Sequence, residues 1–350
     1  MGQMGFFDLS RRYAGLDSKR DPLPLLNKLV PWEVFRPQLR AALLAHGART
    51  QAPKSPAGCK PWDEVVVFKM LVLQALYNLS DEQAEYQVRD RLSFMRFLGL
   101  GLEDKVPDAT TLWLYREALA KAGMVEQLFA TFDAYLREHG YRATGGQIID
   151  ATIVTAPRQQ MNSEEKATIA AGQTPKEWAD KPAKLRQKDR EARWTKKHGR
   201  SYFGYKNHIG TDRKHKFIRR YTVSDAACHD SQKLEEVLDS TNSSADIWAD
   251  SAYRSEANEA MLKARGGRSR VHRRGARNHP LSERERAGNK TRSRVRARVE
   301  HIFGHQVTAM GGKLVRTIGL ARAKAKIGMM NLAYNMSRLS SLHRMATSPP

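Results

Sequence analysis

The chain has 350 residues, of which 41% are hydrophobic and 28% charged, so it can bury a sizeable core and is not disordered as a whole. Lys and Arg number 60 against 37 Asp and Glu, which gives a formal net charge of +23. An excess of this size favours a polyanionic partner, most often nucleic acid, and a generally basic surface is the alternative.

Membrane and secretory segments are not expected. No apolar run approaches the ~20 residues that a membrane span requires, and the N-terminus lacks a signal-peptide pattern. Cys59 and Cys228 are far apart and fit no metal-ligand spacing. So few cysteines suit a reducing compartment. We therefore expect a cytoplasmic, nucleoid-associated protein with no membrane partner.

The first part of the chain is predicted to be helical. Residues 1–22 are mixed and polar and are expected to form a flexible arm. Residues 23–140 form the first predicted domain, with helices starting near Pro31 and at about 63–77, 90–98, 108–122 and 124–138. Ser80 and Gln83 have capping-box spacing, Asp108 is an N-cap candidate, and Gln51 to Pro61 form a basic loop. Helix-turn-helix DNA binding and dimerisation are equally open uses for this domain.

The second predicted domain, residues 141–350, alternates strands and helices. Its pattern is a strand at 145–154, a polar, basic insertion at about 157–200 that is flexible or loosely helical, and a hairpin of strands at 201–210 and 216–223. A helix at 234–238, a strand at 245–250, a helix at 255–264 and a short strand near 268–272 follow, and helices at 283–306 and 320–342 end the chain. This order predicts a mixed α/β fold, a sheet flanked by helices.

Asp150 is the residue that needs explanation. It interrupts the apolar run Gln147–Val154, which Gly145, Gly146 and Pro157 bound, as expected for a buried strand. A buried carboxylate is costly unless a positive group meets it. We therefore expect Asp150 to have a cationic partner.

Two further acids are candidates for the same site. Asp250 ends the predicted strand Ala245–Asp250, and Glu300 lies on a helix whose apolar positions follow helical spacing. Three carboxylates together would repel one another unless divalent cations joined them, and hard oxygen ligands suit Mg²⁺ or Mn²⁺. A pair of such ions activates an attacking water or 3′-hydroxyl and stabilises the leaving oxygen in phosphoryl transfer. Asp150, Asp250 and Glu300 are thus predicted as catalytic metal ligands, with two ions.

Each candidate also has an ordinary structural interpretation. Asp250 could cap a strand end, and Glu300 could be the ion-pair partner of Arg296 one helical turn away. His208, His229 and Asp230 look chemically suggestive but lack metal-ligand spacing, which favours a hairpin side chain and a turn or helix cap.

From about Leu23 to Leu342 the chain resembles bacterial transposases of the insertion-sequence-five group. The stretches that carry the resemblance are Val65–Gln74, Tyr77–Gln83, Arg91–Leu98, Asp150–Thr152, Phe203–Lys206, Ala249–Tyr253 and Arg298–Gly304. The resemblance implies an RNase H-like core behind a helical N-terminal domain, and it places that family's catalytic Asp, Asp and Glu at Asp150, Asp250 and Glu300.

The chain departs from that pattern near the third acid. The related signature is Tyr-x2-Arg-x3-Glu-x6-Lys, and the chain keeps Arg296 before Glu300 but has Ser293 in the Tyr place and Val307 in the Lys place. A role of that Tyr or Lys in holding transposon ends cannot be carried over. Lys313 and Arg316 are candidate substitutes.

The positive charge is concentrated in two segments. Residues 184–220 hold 14 Lys or Arg against three acids, and residues 265–298 hold 13 against two. Trp194, Tyr202, Phe203 and Tyr205 interleave the first segment, as expected where bases stack while cations follow phosphates. The DNA-binding candidates are Lys196, Lys197, Arg200, Lys206, Arg273, Arg274, Arg292 and Arg296.

These features together predict a transposase that binds the ends of its own element as double-stranded DNA, cuts them and joins the freed 3′-hydroxyl to target DNA. Because two ends are handled together, we expect a homodimer or a larger synaptic oligomer. A metal-dependent nuclease or resolvase without strand transfer, and a domesticated DNA-binding protein, are the alternatives.

Overall fold

A computed structural model describes residues 8–46, 61–277 and 279–347. The chain divides into two compact units, residues 1–132 with 329–350 and residues 133–328. Cys59 and nearly all of the predicted loop Gln51 to Pro61 lie outside the described residues.

The first unit is helical, as the sequence predicts. Its helices are α1 (Asp8–Ser18), α2 (Leu23–Leu29), α3 (Arg36–Ala45), α4 (Glu64–Tyr77), α5 (Asp81–Asp90), α6 (Leu92–Leu98), α7 (Ala109–Lys121) and α8 (Met124–Glu138), the last of which continues into the second unit. The predicted capping box at Ser80 and Gln83 forms at the start of α5, and Asp108 caps α7 by accepting a hydrogen bond from the Thr111 N–H. Local capping chemistry therefore sets these helix starts.

Part of the expected N-terminal arm is ordered. Residues 8–18 form α1, and the Arg96 guanidinium on α6 pairs with Asp17 and Asp21 and stacks on the Tyr13 ring. This segment has a largely polar sequence because its contacts with α6 are ion pairs and the stacking of Arg96 on the Tyr13 ring. Leu9, Tyr13 and Leu16 have helical spacing and are partly buried, but they form only a short apolar stripe.

The second unit is built on one mixed sheet. Its strands in the described residues are β1 (Gln147–Thr155), β2 (Arg193–Lys197), β3 (Arg200–Asp212), β4 (Ile218–Asp225), β5 (Asp246–Trp248) and β6 (Arg268–Ser269). β1 lies in the middle, antiparallel to β3 and parallel to β5, while β4 pairs with the other edge of β3 and β6 pairs with β5. The predicted hairpin is therefore confirmed as β3 and β4, and this strand arrangement is that of an RNase H-like core.

A glycine lets the chain enter β1. Gly146 has φ +90°, and a Cβ built there would lie 2.4 Å from the Trp248 ring and 2.6 Å from the Asp246 carbonyl oxygen. Only glycine adopts this conformation without strain and leaves room for β5 at this distance.

Helices complete the second unit. They are α9 (Ser163–Ala170), α10 (Lys176–Ala179), α11 (Pro182–Gln187), α12 (Glu256–Ala264), α13 (Glu283–Thr308) and α14 (Leu320–Thr347), the last of which continues into the first unit. The predicted helix at 234–238 is wrong, because residues 230–233 and 235–237 form 3₁₀ turns. The Ser231 carbonyl oxygen accepts a hydrogen bond from the Asn258 amide, which engages an acceptor that an α-helix would use.

The basic insertion is folded around a tryptophan. Trp178 is fully buried, its indole N–H donates to Glu165 Oε1 at 2.6 Å, and Lys184 and Lys188 lie over its ring. The sequence also missed β2, which pairs with β3 through residues 193–197. The helices α9, α10 and α11 agree with the loosely helical alternative for this insertion, and one buried aromatic organises the otherwise polar segment.

Candidate active site

Asp150 lies in the central strand β1, where burial is the main effect on its carboxyl group. Burial raises the pKa of Asp150, and the nearby Asp250 charge adds to this, while the Arg296 guanidinium and the Ala151 N–H act in the opposite direction. Arg296 Nη2 donates to Asp150 Oδ2 at 3.0 Å, and the Ala151 N–H donates to Asp150 Oδ1 at 2.9 Å. The cationic partner that the sequence predicts for Asp150 is therefore Arg296.

Asp250 stands just beyond the end of β5, beside β1. Its Oδ1 accepts a hydrogen bond from the Ala252 N–H at 2.8 Å and so caps the 3₁₀ turn Ser251–Tyr253. The capping interpretation is thus correct, and it does not exclude the chemical one, since the same carboxyl group influences Asp150 and Arg296.

Glu300 lies on α13, which packs against β1 through a face that includes the buried Val299 and Ile302. The Glu300 side chain is exposed, and the ion pair of Arg296 is with Asp150 rather than with Glu300. Arg296 still senses Glu300: burial lowers the Arg296 pKa, but Asp150, Asp250 and Glu300 together raise it above its usual value.

The charges of all three acids therefore act on one guanidinium, and Asp150 is the acid in hydrogen-bond contact with it. The carboxylate oxygens of these acids are the hard donors that Mg²⁺ and Mn²⁺ prefer. The donor set thus fits a divalent cation in chemistry. Among residues 8–46, 61–277 and 279–347, however, no three His, Cys, Asp or Glu side chains lie close enough together to hold an ion.

Two matches to known families decide the identity of the chain. The family model described as "Transposase DDE domain" matches residues 142–336, which is more than half of the chain. A second model, described as "Transposase domain (DUF772)", matches residues 11–118. The chain belongs to the DDE transposase family. A solved structure similar to it is "Cryo-EM structure of piggyBac transposase synaptic complex with hairpin DNA (SNHP)", at 12% identity and a TM-score of 0.47, covering 93% of this chain and 76% of that one.

The described helices of the transposase include none that is long and apolar enough to cross a membrane.

The DNA-binding candidates of the transposase fall into three surroundings. Lys196, Lys197 and Arg200 stand at the tip of the hairpin formed by β2 and β3, where all three are exposed. Lys206 is largely buried, and its Nζ donates to Asp230 Oδ1 at 2.9 Å and to the Cys228 carbonyl oxygen at 2.7 Å. The three cations at the hairpin tip are therefore exposed to solvent, whereas Lys206 is engaged within the protein.

The other candidates are Arg273, Arg274 and Arg292, besides Arg296, which contacts Asp150. Arg273 pairs with Glu285 at 3.3 Å, and Arg274 lines a cavity of about 750 Å³ together with Arg254 and Arg277. Arg292 is half-buried, its Nη1 donates to Asn289 Oδ1, and no ion pair of Arg292 is seen within the described residues. Burial and the charges of Arg273, Arg254 and Arg270 lower the Arg292 pKa.

A polar cluster is formed by His208 on β3, Ser224 on β4 and the nearby Asp230. The His208 side chain is fully buried, its Nε2 lies 2.9 Å from Ser224 Oγ, and its Nδ1 lies 4.0 Å from Asp230 Oδ1. His229 caps the 3₁₀ turn Asp230–Lys233 by accepting from the Ser231 N–H. The ordinary interpretations of a hairpin side chain and a turn cap are therefore correct for the two histidines.

His208 should make the transposase sensitive to mild acid. Burial lowers its pKa to about 4 from the usual 6.5, so the folded state holds it neutral while the unfolded state takes up a proton below pH 6.5. The stability that depends on neutral His208 is fully present above pH 6.5. As the pH falls towards 4, the free energy of unfolding decreases by roughly 3 kcal/mol. Denaturant unfolding at several pH values should show this loss, and His208→Gln should lose less. Equal slopes for the two proteins would contradict it.

Two residues beside the acids had no signal in the sequence. Tyr253 is buried, its hydroxyl makes no hydrogen bond within the described residues, and burial with the charges of Asp150, Asp230 and Asp250 raises its pKa well above the usual value. The His272 pKa is lowered, first by burial and then by Arg296. Tyr253 ends the stretch Ala249–Tyr253 that carries the family resemblance, and His272 ends a predicted short strand, but nothing local in the sequence indicates that Asp250 influences both.

Proposed function

We propose that this protein is a transposase of the insertion-sequence-five group that binds the inverted repeats at the ends of its element, cleaves them and joins the 3′-hydroxyl ends to target DNA. The observation that carries the proposal is Asp150 in the central strand of an RNase H-like core, paired with Arg296 of α13, with Asp250 just beyond the neighbouring strand β5 and Glu300 one helical turn after Arg296. The DDE family match supports it.

Asp150, Asp250 and Glu300 would hold one or two Mg²⁺ or Mn²⁺ ions. Such ions, when bound, supply an activated water or 3′-hydroxyl and charge stabilisation at the phosphate. Asp150 is well suited as the fixed ligand because its strand is held on both sides by β3 and β5. Glu300 is exposed on α13 and would join the site from the open side, where DNA enters.

Arg292 is the strongest candidate for a phosphate contact near the acids. It is a half-buried guanidinium next to three other arginines, and its neighbours Arg273, Arg254 and Arg270 have carboxylate partners in Glu285, Glu259 and Asp246. A DNA phosphate would relieve the crowded positive charge. Lys196, Lys197 and Arg200 would contact DNA from the hairpin tip, and Lys206 only if it left Asp230. Two ends must be handled together, so we infer a dimer or larger assembly, with the helical unit serving DNA binding or dimerisation.

The test is a strand-transfer assay with the full chain. A duplex carrying the inverted repeats that flank the coding region is incubated with a plasmid target and Mg²⁺, and products are separated on a denaturing gel. We expect joined product that depends on the repeats and on the divalent ion. Free breaks without joined product would favour a nuclease or resolvase, and repeat binding without cleavage would favour a domesticated DNA-binding protein.

A further inference from the structure

Arg296 engages one of the two carboxylate oxygens of Asp150. Its Nη2 lies 3.0 Å from Asp150 Oδ2, while the other oxygen of Asp150 accepts the Ala151 N–H. Asp250 and Glu300 are the next acids to act on the same guanidinium. A cation that binds these carboxylates must therefore share Asp150 with Arg296 or displace it.

The guanidinium of Arg296 is only partly engaged in hydrogen bonds. Its Nε is buried and has no hydrogen-bond partner within the described part of the chain, and Asp150 is the carboxylate with which it forms an ion pair. Arg292 lies one helical turn earlier on α13, so a phosphate that approached Arg292 would also approach Arg296. Guanidinium groups bind phosphate as readily as carboxylate, which offers Arg296 a second partner.

We propose that Arg296 is a built-in counter-cation that holds Asp150 while the site is empty of metal and passes to a DNA phosphate when the metal binds. This rests on the proposed function, since it takes Asp150, Asp250 and Glu300 as the ligands. The free protein then binds a divalent ion weakly, and DNA strengthens that binding. By linkage the ion strengthens DNA binding by the same factor.

The opposite role for Arg296 predicts the opposite result. If Arg296 only oriented Asp150 for the metal, its removal would weaken metal binding, because Asp150 would lose the donor that fixes the direction of its carboxylate. If Arg296 competes with the metal, its removal frees the Asp150 oxygen and strengthens binding. The sign of the change in metal affinity therefore separates the two roles.

The experiment is a Mn²⁺ titration of the full chain by calorimetry or electron paramagnetic resonance, at fixed salt, with and without a short duplex. Arg296→Gln removes the charge, and Arg294→Gln is the matched control on the exposed face of α13. We expect Arg296→Gln to bind Mn²⁺ about tenfold more tightly without DNA and to lose most of the enhancement, also about tenfold, that DNA produces in the wild type, within the usual range of coupling between sites. Arg294→Gln should match the wild type.

Unchanged or weaker Mn²⁺ binding by Arg296→Gln would overturn the proposal. Asp150→Asn separates this from failure of the proposed site: it should abolish the tighter Mn²⁺ binding seen with the duplex, and tight binding that survives it would refute the metal assignment and the proposal together. If a variant is less stable, thermal melting with and without Mn²⁺ gives a second measure of metal binding. The metal-induced rise in melting temperature should be larger for Arg296→Gln than for the wild type, and an equal or smaller rise would also overturn the proposal.

Discussion

Replacing Asp150 by asparagine is expected to lower metal-dependent cleavage and joining of end DNA by at least about a thousandfold. Asparagine keeps the size of the side chain but removes the negative charge that would hold a cation. A bound metal contributes several kcal/mol to stabilising the transition state, and each 1.36 kcal/mol corresponds to a factor of ten in rate. The measurement is the initial rate of cleavage and of strand transfer on DNA carrying the flanking repeats.

A matched control is available in the insertion. Asp180 is exposed and outside the proposed site, so Asp180→Asn makes the same chemical change and should leave both rates within about twofold of wild type, as surface substitutions usually do. Thermal melting in the presence of a chelator checks that Asp150→Asn is folded. A folded Asp150→Asn variant that still cleaved end DNA at the wild-type rate would show that the metal-site assignment is wrong.

Replacing Arg219 by methionine is expected to produce the largest loss of stability. The Arg219 side chain is only 1% exposed, its Nε lies 2.8 Å from Asp212 Oδ1, and its Nη1 lies 2.9 Å from Asp133 Oδ1. Its Nη2 donates to the Tyr141 carbonyl oxygen at 2.6 Å. Methionine would leave two buried carboxylates without this partner, and breaking a buried pair from one side costs about 3–5 kcal/mol.

Heat or denaturant unfolding of the full chain measures this effect. For a unit of this size each kcal/mol shifts the melting temperature by about 2–4 °C, so Arg219→Met should melt roughly 6–20 °C lower. The neighbouring Arg220 is exposed, and Arg220→Met should stay within about 0.5 kcal/mol of wild type. Equal melting temperatures for the two variants would exclude Arg219 as an important stabilising group.

The same network gives a pH dependence with a definite sign. Burial raises the Asp212 pKa, but the His215 hydrogen bonds and the Arg219 charge outweigh it, so the pKa in the folded state lies below the usual value. The stability from Asp212 is therefore present above the ordinary carboxyl pKa and is lost as the pH falls through the lowered one. Arg219→Met should flatten this part of the stability profile.

Much of the fold could be read from local patterns. Helix starts at Ser80 and Asp108, the central strand around Asp150 and the hairpin of β3 and β4 agree with the sequence because each depends on residues close together in the chain. The failures share a different cause. α1 and β2 were missed because their contacts are with residues outside the local pattern, as Arg96 pairs with Asp17 of α1 and β3 pairs with β2. The insertion helices were one of two alternatives, and the sequence did not show that the buried Trp178 organises them.

The basic residues show the same limit more sharply. Arg219 and Arg220 are adjacent in a segment that the sequence treats as one positive block, yet one is buried between carboxylates and the other is exposed. Lys206 was likewise a DNA candidate, and the structure engages it with Asp230. Charge counts predict a polyanionic partner, but they do not separate a cation that faces DNA from one that neutralises an acid.

By itself the sequence determined that Asp150 sits in a buried strand and needs a cation, and the resemblance in its motifs singled out Asp250 and Glu300 as its partners. Only the tertiary structure decided which cation meets Asp150, that Asp250 also caps a turn, and that Glu300 stays exposed while all three acids act on Arg296. The periodicity of apolar residues along a helix or strand is local, so it can be recognised in the sequence. The meeting of residues on β1, after β5 and on α13 depends on strand order and helix packing, which local patterns do not encode.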